Sequence, residues 1–312
     1  MITTITINPC IDKTISIKDF KFGNTNKVIS SRQDISGKGI NVSVILKNYG
    51  INSTVLGFNF IEDGDYLEKF LYDREINHDL VDVNGYLRTN TKIFDIETKI
   101  MTEYNEQGAF VSETYKKEFF KKLDKNLDKT KILVISGSAP KGIDKYFYKN
   151  IIDVANEKKI KVLLDSSGDL LKEGIKARPF LIKPNLEEFK TISNSKAESL
   201  EDFVLACREI VKDGVNLVCL SLGSKGALLV SKDEAYYAKP VDVIIKGIQG
   251  AGDSLVAGMA MAINKGLTNK EVLKYGVTLA TSSLLYEGTQ LGKFDDFDDI
   301  YNRVAINEIE VN

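Results

Sequence analysis

From about residue 130 onward, short β-branched and aliphatic runs alternate with longer stretches whose apolar positions recur every three or four residues. "KILVISGSAP" (131–140) reads as a strand ending in small residues, and "KVLLDSSG", "PFLIKPN" and "NLVCLSLG" read as three more. Between them, "DKYFYKNIIDVANEKK" puts Phe147, Ile151 and Val154 on one helical stripe. "SLEDFVLACREIVKDG" does the same with Phe203, Cys207 and Ile210. Strands alternating with helices predict an α/β fold: a mostly parallel central sheet covered by helices on both faces, in three layers. In such sheets ligands collect beyond the carboxyl ends of the strands. This chain places Ser136-Gly137-Ser138, Asp165-Ser166, Lys183-Pro184-Asn185 and Ser221-Leu222-Gly223 there.

Two segments, 10–35 and 86–111, break the alternation: "KTISI", "KVISS" and "TKIFDI" are strand-like, with no helix between them. They predict a small antiparallel sheet made from two excursions, leaving 1–9, 36–85 and 112–312 as the α/β core. A sheet standing off such a core is either a lid that excludes water during transfer chemistry or a solvated hairpin. Ile15, Ile17, Ile29, Ile93 and Phe94 are more apolar surface than a solvated flap carries. A homodimer joined through the two lids is therefore expected, burying that face about a two-fold axis; the alternative is a lid that folds the face onto its own core.

Length and charge add constraints. The 312 residues suffice for one large core with an appendage, and a net charge of −2 suggests neither a nucleic-acid groove nor an anionic membrane surface. Any site for a phosphorylated ligand must be built locally. Three cysteines, Cys10, Cys207 and Cys219, and a single histidine, His78, cannot make a typical zinc site. They read as reduced, mostly buried thiols of a cytoplasmic protein. "MITTITINPCID" lacks the basic flank and apolar block of a signal peptide, and no apolar run approaches membrane-spanning length. His78 has no nucleophile elbow to serve as a triad partner.

Within this frame, "IQGAGDSLVAGMA" (248–260) sets Gly250, Ala251 and Gly252 directly before Asp253 and a helix carrying Val256, Met259 and Ile263, with Gly266 as its stop. Asp253 fits a first-turn acid that suits the helix dipole. The three small residues also allow backbone N–H groups to converge on an anion. "SGKGINVSVILKNYG" (36–50) places Gly37 and Gly39 around Lys38 at another helix start, where N–H groups, the ammonium and the Asn41 amide can hold a phosphate or a sugar hydroxyl. It is not a Walker P-loop, whose spacing is absent. Arg88 in "LRTNTKIF" is either a surface arginine or a bidentate phosphate grip on the lid. Asn185 and Glu188 in "IKPNLEE" form a capping-box pattern, and such a carboxylate can equally order waters on Mg²⁺. Gly223 and Gly226 in "SLGSKGALL" mark a hairpin turn or a nucleotide seat.

Taken together and in this order, "SGKGINVS", "LRTNTKI", "MTEYNEQG", "ISGSAPKG", "LLDSSG", "FLIKPNLEE", "VCLSLGSKGA" and "GAGDSLVAG" resemble the ribokinase-like (PfkB) carbohydrate kinases, from "TINPCID" to about residue 290. The Asn-Pro-x-x-Asp opening and the GKGINV turn resemble the branch of 1-phosphofructokinases and tagatose-6-phosphate kinases. The resemblance implies ATP-dependent, Mg²⁺-assisted phosphorylation of a sugar. Asp253 would be the base and Gly250, Ala251 and Gly252 the anion hole. Asp12, Gly37, Lys38 and Asn41 match sugar contacts, and Arg88 matches the grip on the phosphate already present on the substrate, with Ser138 nearby. Lys27 lies near a basic lid position. Lys183, Asn185, Ser221, Gly223, Ser224 and Gly226 match nucleotide positions, and Glu188 a metal-ordering acid acting through water. The expected substrate is fructose 1-phosphate, with tagatose 6-phosphate as the rival. A sugar-phosphate sensor without turnover is the reading from another class, and the retained base and anion hole argue against it. The chain departs from the pattern at Ser36 (usually glycine), at Cys10 (usually a smaller residue), at Gln249 (commonly threonine or valine) and in "GFNFIEDGDYL", which lacks paired glycines.

Overall fold

The computed structural model describes residues 1–193, 195–288 and 291–310. The core strands are β1 (Ile2–Thr6), β4 (Ser53–Phe60), β5 (Asn77–Val83), β8 (Ile132–Ser136), β9 (Lys161–Asp165), β10 (Leu181–Ile182), β11 (Leu217–Ser221), β12 (Ala227–Val230), β13 (Ala235–Ala238) and β14 (Ile306–Glu308). They form one sheet in the order β14-β13-β12-β11-β10-β9-β8-β1-β4-β5. Pairing is parallel from β5 through β11 and antiparallel from β11 to β14. The strands β1, β4 and β8 are buried along their whole length, as strands covered on two faces must be; the buried hydroxyls of Thr3 and Thr4 on β1 pair with Thr130 and Ser43.

The covering helices are α1 (Lys38–Asn48), α2 (Gly64–Asp73), α3 (Glu113–Leu127), α4 (Phe147–Glu157), α5 (Gly168–Lys176), α6 (Leu186–Ser193), α7 (Leu200–Lys212), α8 (Ala251–Asn264), α9 (Asn269–Ser283) and α10 (Phe297–Arg303). One packed set joins α1 to α8 and α8 to α9, and a second runs from α3 through α7. Because β9 touches α8 from the first set and α4 and α5 from the second, the two sets cover opposite faces. Helix α8 is buried on nearly every side from Asp253 to Ile263, which its Ala-, Met- and Val-rich sequence allows. Its amino terminus therefore opens at the centre of the molecule. Helix α1 also runs close to the sheet: a Cβ at Gly39 would stand 2.4 Å from the Ile5 carbonyl oxygen.

The remaining strands, β2 (Cys10–Ile17), β3 (Ser30–Ser36), β6 (Arg88–Asp95) and β7 (Met101–Asn105), form a separate sheet in the order β3-β2-β6-β7. Each excursion contributes an antiparallel pair, as its sequence leads one to expect. The two pairs join in parallel through β2 and β6, because both leading strands leave the core in the same direction. Of the five apolar residues assigned to the sheet's open face, Ile29 is exposed and Ile15, Ile93 and Phe94 are half-buried, whereas Ile17 is buried within its own chain. Phe22, Val28, Ile100 and Tyr104 add exposed apolar surface instead. All three cysteines are free and buried. His78 is half-buried on β5 with Nδ1 3.1 Å from the Ile76 carbonyl. No helix among the described residues is long and apolar enough to cross a membrane.

Candidate active site

Gly250 begins the site as the residue before α8, with φ +74°, a conformation that favours glycine; a Cβ there would lie 2.3 Å from Leu291 Cδ2. The first α-helical bond runs from Ser254 N–H to the Gly250 carbonyl, so the N–H groups of Ala251, Gly252 and Asp253 precede the intrahelical ladder. Asp253 lies in the first turn, with its carboxylate buried. Burial pushes its carboxyl up to about 6; Lys38, the Asn41 amide and Lys183 oppose that rise, while Asp165 adds to it. Asn41 Nδ2 donates to Asp253 Oδ2 at 2.8 Å.

Two lysines from separate motifs meet beside this acid. Lys38 Nζ lies 3.4 Å and Lys183 Nζ 3.1 Å from the same oxygen, Oδ1 of Asp165, which is fully buried at the carboxyl end of β9. Burial alone would raise the Asp165 carboxyl, but Lys183 and then Lys38 outweigh it and hold the group below the usual carboxylate range. Asp165 in turn raises Lys38 against the opposing effect of burial, with Asp253 and Glu188 contributing. Asp165 Oδ2 is buried and has no hydrogen-bond partner among the described residues. Lys183 also lies under the start of α8, 3.7 Å from where a Gly252 Cβ would stand. Two cations thus flank the Asp253 carboxyl at the end of the parallel sheet.

On the side of the small sheet, a continuous network joins the other sequence-predicted residues. Asn8 links Arg88 to Ser138: its carbonyl accepts from Arg88 Nε at 3.2 Å, and its amide donates to Ser138 Oγ at 3.3 Å. Arg88 also donates to Asn90 Oδ1 and to the Glu106 carbonyl, at 3.1 and 3.2 Å. Asp12 is buried, accepting from Asn90 Nδ2 and Lys92 Nζ, each at 3.1 Å. The Cys10 thiol faces the same carboxylate, and burial first, then Asp12, pushes it up to about 12, so it stays protonated. Lys27 stands exposed on the loop between β2 and β3, and among the described residues no hydrogen bond or ion pair ties it to this network.

On the opposite side, a cavity of about 900 Å³ runs from the start of α8 to the β11–β12 hairpin. Asn185, Ser221, Gly223, Ser224 and Gly226 line it, together with Ala251 and Gly252, while Lys183 lies beneath rather than in its wall. Gly223–Lys225 is a single 3₁₀ turn of the antiparallel hairpin, so these glycines both turn the chain and line the cavity. The far wall is apolar, with Val241, Ile245, Ile248, Leu255, Val277 and Leu284, which suits a flat ring system. Asn185 and Glu188 cap α6 reciprocally: Glu188 N–H donates to Asn185 Oδ1 at 2.8 Å and Asn185 N–H to Glu188 Oε2 at 2.9 Å. The capping-box reading of these two residues therefore holds. No cluster of three acidic, histidine or cysteine side chains forms a metal cage among the described residues. The donor set fits a hydrated Mg²⁺ carried on nucleotide phosphates, with Glu188 within electrostatic reach of Lys38.

Sequence reasoning left three parts of this geometry without a role. Asp165 stands in the quoted "LLDSSG", yet its partners are 127 and 18 positions away. Asn90 and Lys92 sit in "LRTNTKI", and their alternation with Arg88 on one strand was the available signal. Of the apolar wall, Ile248 and Leu255 fall in "IQGAGDSLVAGMA", while Val241, Ile245, Val277 and Leu284 are scattered and carry no motif.

Compared with known proteins, residues 3–295 match the pattern of the pfkB family carbohydrate kinases. The chain is 33% identical over 311 residues to the 1-phosphofructokinase of Borreliella burgdorferi, covering 99% of both chains. It is 28% identical over 312 residues to a tagatose-6-phosphate kinase of Staphylococcus epidermidis, covering 99% of this chain and 100% of that one. Among solved structures, phosphofructokinase-2 of Escherichia coli superposes with a TM-score of 0.89 at 26% identity, over 96% of this chain and 98% of that one.

Proposed function

We propose, from the premise that this chain belongs to the pfkB family of carbohydrate kinases, that it phosphorylates fructose 1-phosphate to fructose 1,6-bisphosphate. The observation that carries the reading is the buried Asp253 in the first turn of α8, flanked by Lys38 and Lys183, where the helix start, Ala251 and Gly252, lines a nucleotide-sized cavity. ATP occupies that cavity with its base against the apolar wall and its phosphates toward the α8 amino terminus. Asp253 takes the proton of the substrate's primary hydroxyl as that oxygen meets the γ-phosphorus. The N–H groups of Ala251, Gly252 and Asp253, with the two ammonium groups, stabilise charge on the transferring phosphoryl. Mg²⁺ bound with the nucleotide would supply neutralisation of phosphate charge. Asn185 and Glu188 would hold its waters.

At the sugar end, Arg88 grips the phosphate already present, with Ser138 beside it, while Asp12, Gly37, Lys38 and Asn41 face the ring. The small sheet acts as a lid over this end, and a homodimer buries its exposed apolar side chains. Across such an interface Lys27 would sit near the partner's cleft. Tagatose 6-phosphate is the second reading: it also carries a phosphate at one end and a primary hydroxyl at the other, and a relative bears that activity's name. ADP release coupled to a redox indicator, compared across fructose 1-phosphate, tagatose 6-phosphate and fructose 6-phosphate, tests the assignment. The highest kcat/KM belongs to fructose 1-phosphate. Turnover with none of the three would support the non-catalytic sensor.

A further inference from the structure

The base is held by a single side-chain donor, and that donor is itself held by a residue at which this chain departs from the kinases it resembles. Asn41 Nδ2 lies 2.8 Å from Asp253 Oδ2 and 3.4 Å from Ser36 Oγ, and all three residues are buried. A carboxylate accepts and does not donate, so the amide must turn its nitrogen toward Asp253. Its second N–H then faces the Ser36 hydroxyl. Among the described residues, no hydrogen bond reaches the other carboxylate oxygen, Oδ1.

We propose that Asn41 is a positioning residue for the base and that Ser36 fixes the Asn41 amide, so that Asp253 is anchored through Oδ2 and offers Oδ1 to the substrate hydroxyl. This rests on Asp253 being the base. Ser36 ends β3, opposite Cys10 of β2, and its backbone is outside the left-handed region, so a side chain is accommodated there. Asn41 follows in the first turn of α1, its N–H closing on the Gly37 carbonyl at 2.8 Å. The relay therefore ties the end of the small sheet to the base of the core. Glycine at position 36 would leave the second amide hydrogen without this acceptor and the amide freer to rotate.

A positioning role and a sugar contact make different kinetic predictions. Loss of a sugar contact raises KM by the same factor at every pH. Loss of the donor removes a group that favours ionised Asp253, so the acid limb of kcat/KM moves to higher pH and kcat falls. Lys38, Lys183 and Asp165 face the same carboxylate and remain in the variants. The test is the pH profile of kcat and of kcat/KM, from pH 5 to 9 with saturating Mg²⁺–ATP and varied fructose 1-phosphate, for Asn41→Leu, Ser36→Ala, Ser36→Gly and Asp253→Asn. Asn41→Leu should lower kcat roughly tenfold or more and raise the acid limb by about one pH unit, the scale of one hydrogen bond to a charged group. Ser36→Ala and Ser36→Gly should move both quantities in the same direction by about two- to fivefold in kcat. Each removes only one small side chain's hydroxyl or hydroxymethyl group, so the test survives if Asn41→Leu does not fold. An unmoved acid limb in both serine variants and in any folded Asn41→Leu, while Asp253→Asn is inactive, overturns the positioning role alone. Wild-type turnover by Asp253→Asn overturns the base and this proposal together.

Discussion

Replacing Asp253 by Asn should make the ligand-free protein more stable at neutral pH while it abolishes turnover. The carboxyl is buried, and burial raises it from its ordinary 3.8 to about 6. An acid raised on folding binds more protons in the native state, so its ionisation costs stability as pH climbs from about 4 to 6. At about 1.4 kcal/mol per pH unit, that interval amounts to about 3 kcal/mol at pH 7. Asn is isosteric and uncharged, and its carbonyl can accept from Asn41 as the carboxylate does. Its amide N–H₂ needs a new partner, which reduces the expected gain to about 1–3 kcal/mol. Urea unfolding of both proteins without ligands, at pH 7.5 and at pH 4.5, measures it. The variant should unfold at higher urea at pH 7.5, and most of the difference should be gone at pH 4.5, where the wild-type carboxyl is largely protonated in the native state. Equal stability at pH 7.5, or a gain that grows toward acid, would refute the claim that burial strains this group.

Arg88→Ala should raise KM for the sugar phosphate and leave KM for ATP nearly unchanged, with a loss of about 1.5–3 kcal/mol, the worth of a hydrogen bond to a charged group; an equal effect on ATP would place Arg88 at the nucleotide end. Glu188→Gln keeps much of the capping geometry and should raise the Mg²⁺ concentration needed for half-maximal rate, and chelation of Mg²⁺ should stop turnover; an unchanged Mg²⁺ requirement would leave Glu188 as a helix cap alone. Light scattering at micromolar concentration should give twice the monomer mass, and Phe22→Ser with Ile100→Ser should lower it; a fully active monomer would remove the dimer and any role for Lys27.

The layers and the carboxyl-end placement of small residues were legible because parallel strands buried on both faces must be continuous apolar runs, as β8 and β9 are. Helix α8 was legible for a similar reason: Gly250-Ala251-Gly252 and then Asp253 mark its start, and Gly266 its end. The parallel join of β2 and β6 was not, since it depends on the direction in which two separated excursions leave the core. Ile17 shows the limit of residue type and alternation as guides to exposure: it shares a face of β2 with half-buried Ile15, yet it is buried within its own chain. The bridge from Asp165 to both lysines is a tertiary fact: an ammonium selects its partner by proximity after folding, and nothing local to "LLDSSG" records it. Ser36 was visible as a departure, but its hydrogen bond to Asn41 emerges only when α1 docks beside β3.

The most direct test of the account is phosphoryl transfer itself, measured as fructose 1,6-bisphosphate formed from γ-labelled ATP and fructose 1-phosphate by wild type and Asp253→Asn side by side. The account predicts label in the bisphosphate with wild type and a rate at least roughly a hundredfold lower with the variant, the scale of a lost general base, while the variant still binds ATP. No labelled bisphosphate from wild type, or transfer by Asp253→Asn at the wild-type rate, would contradict it.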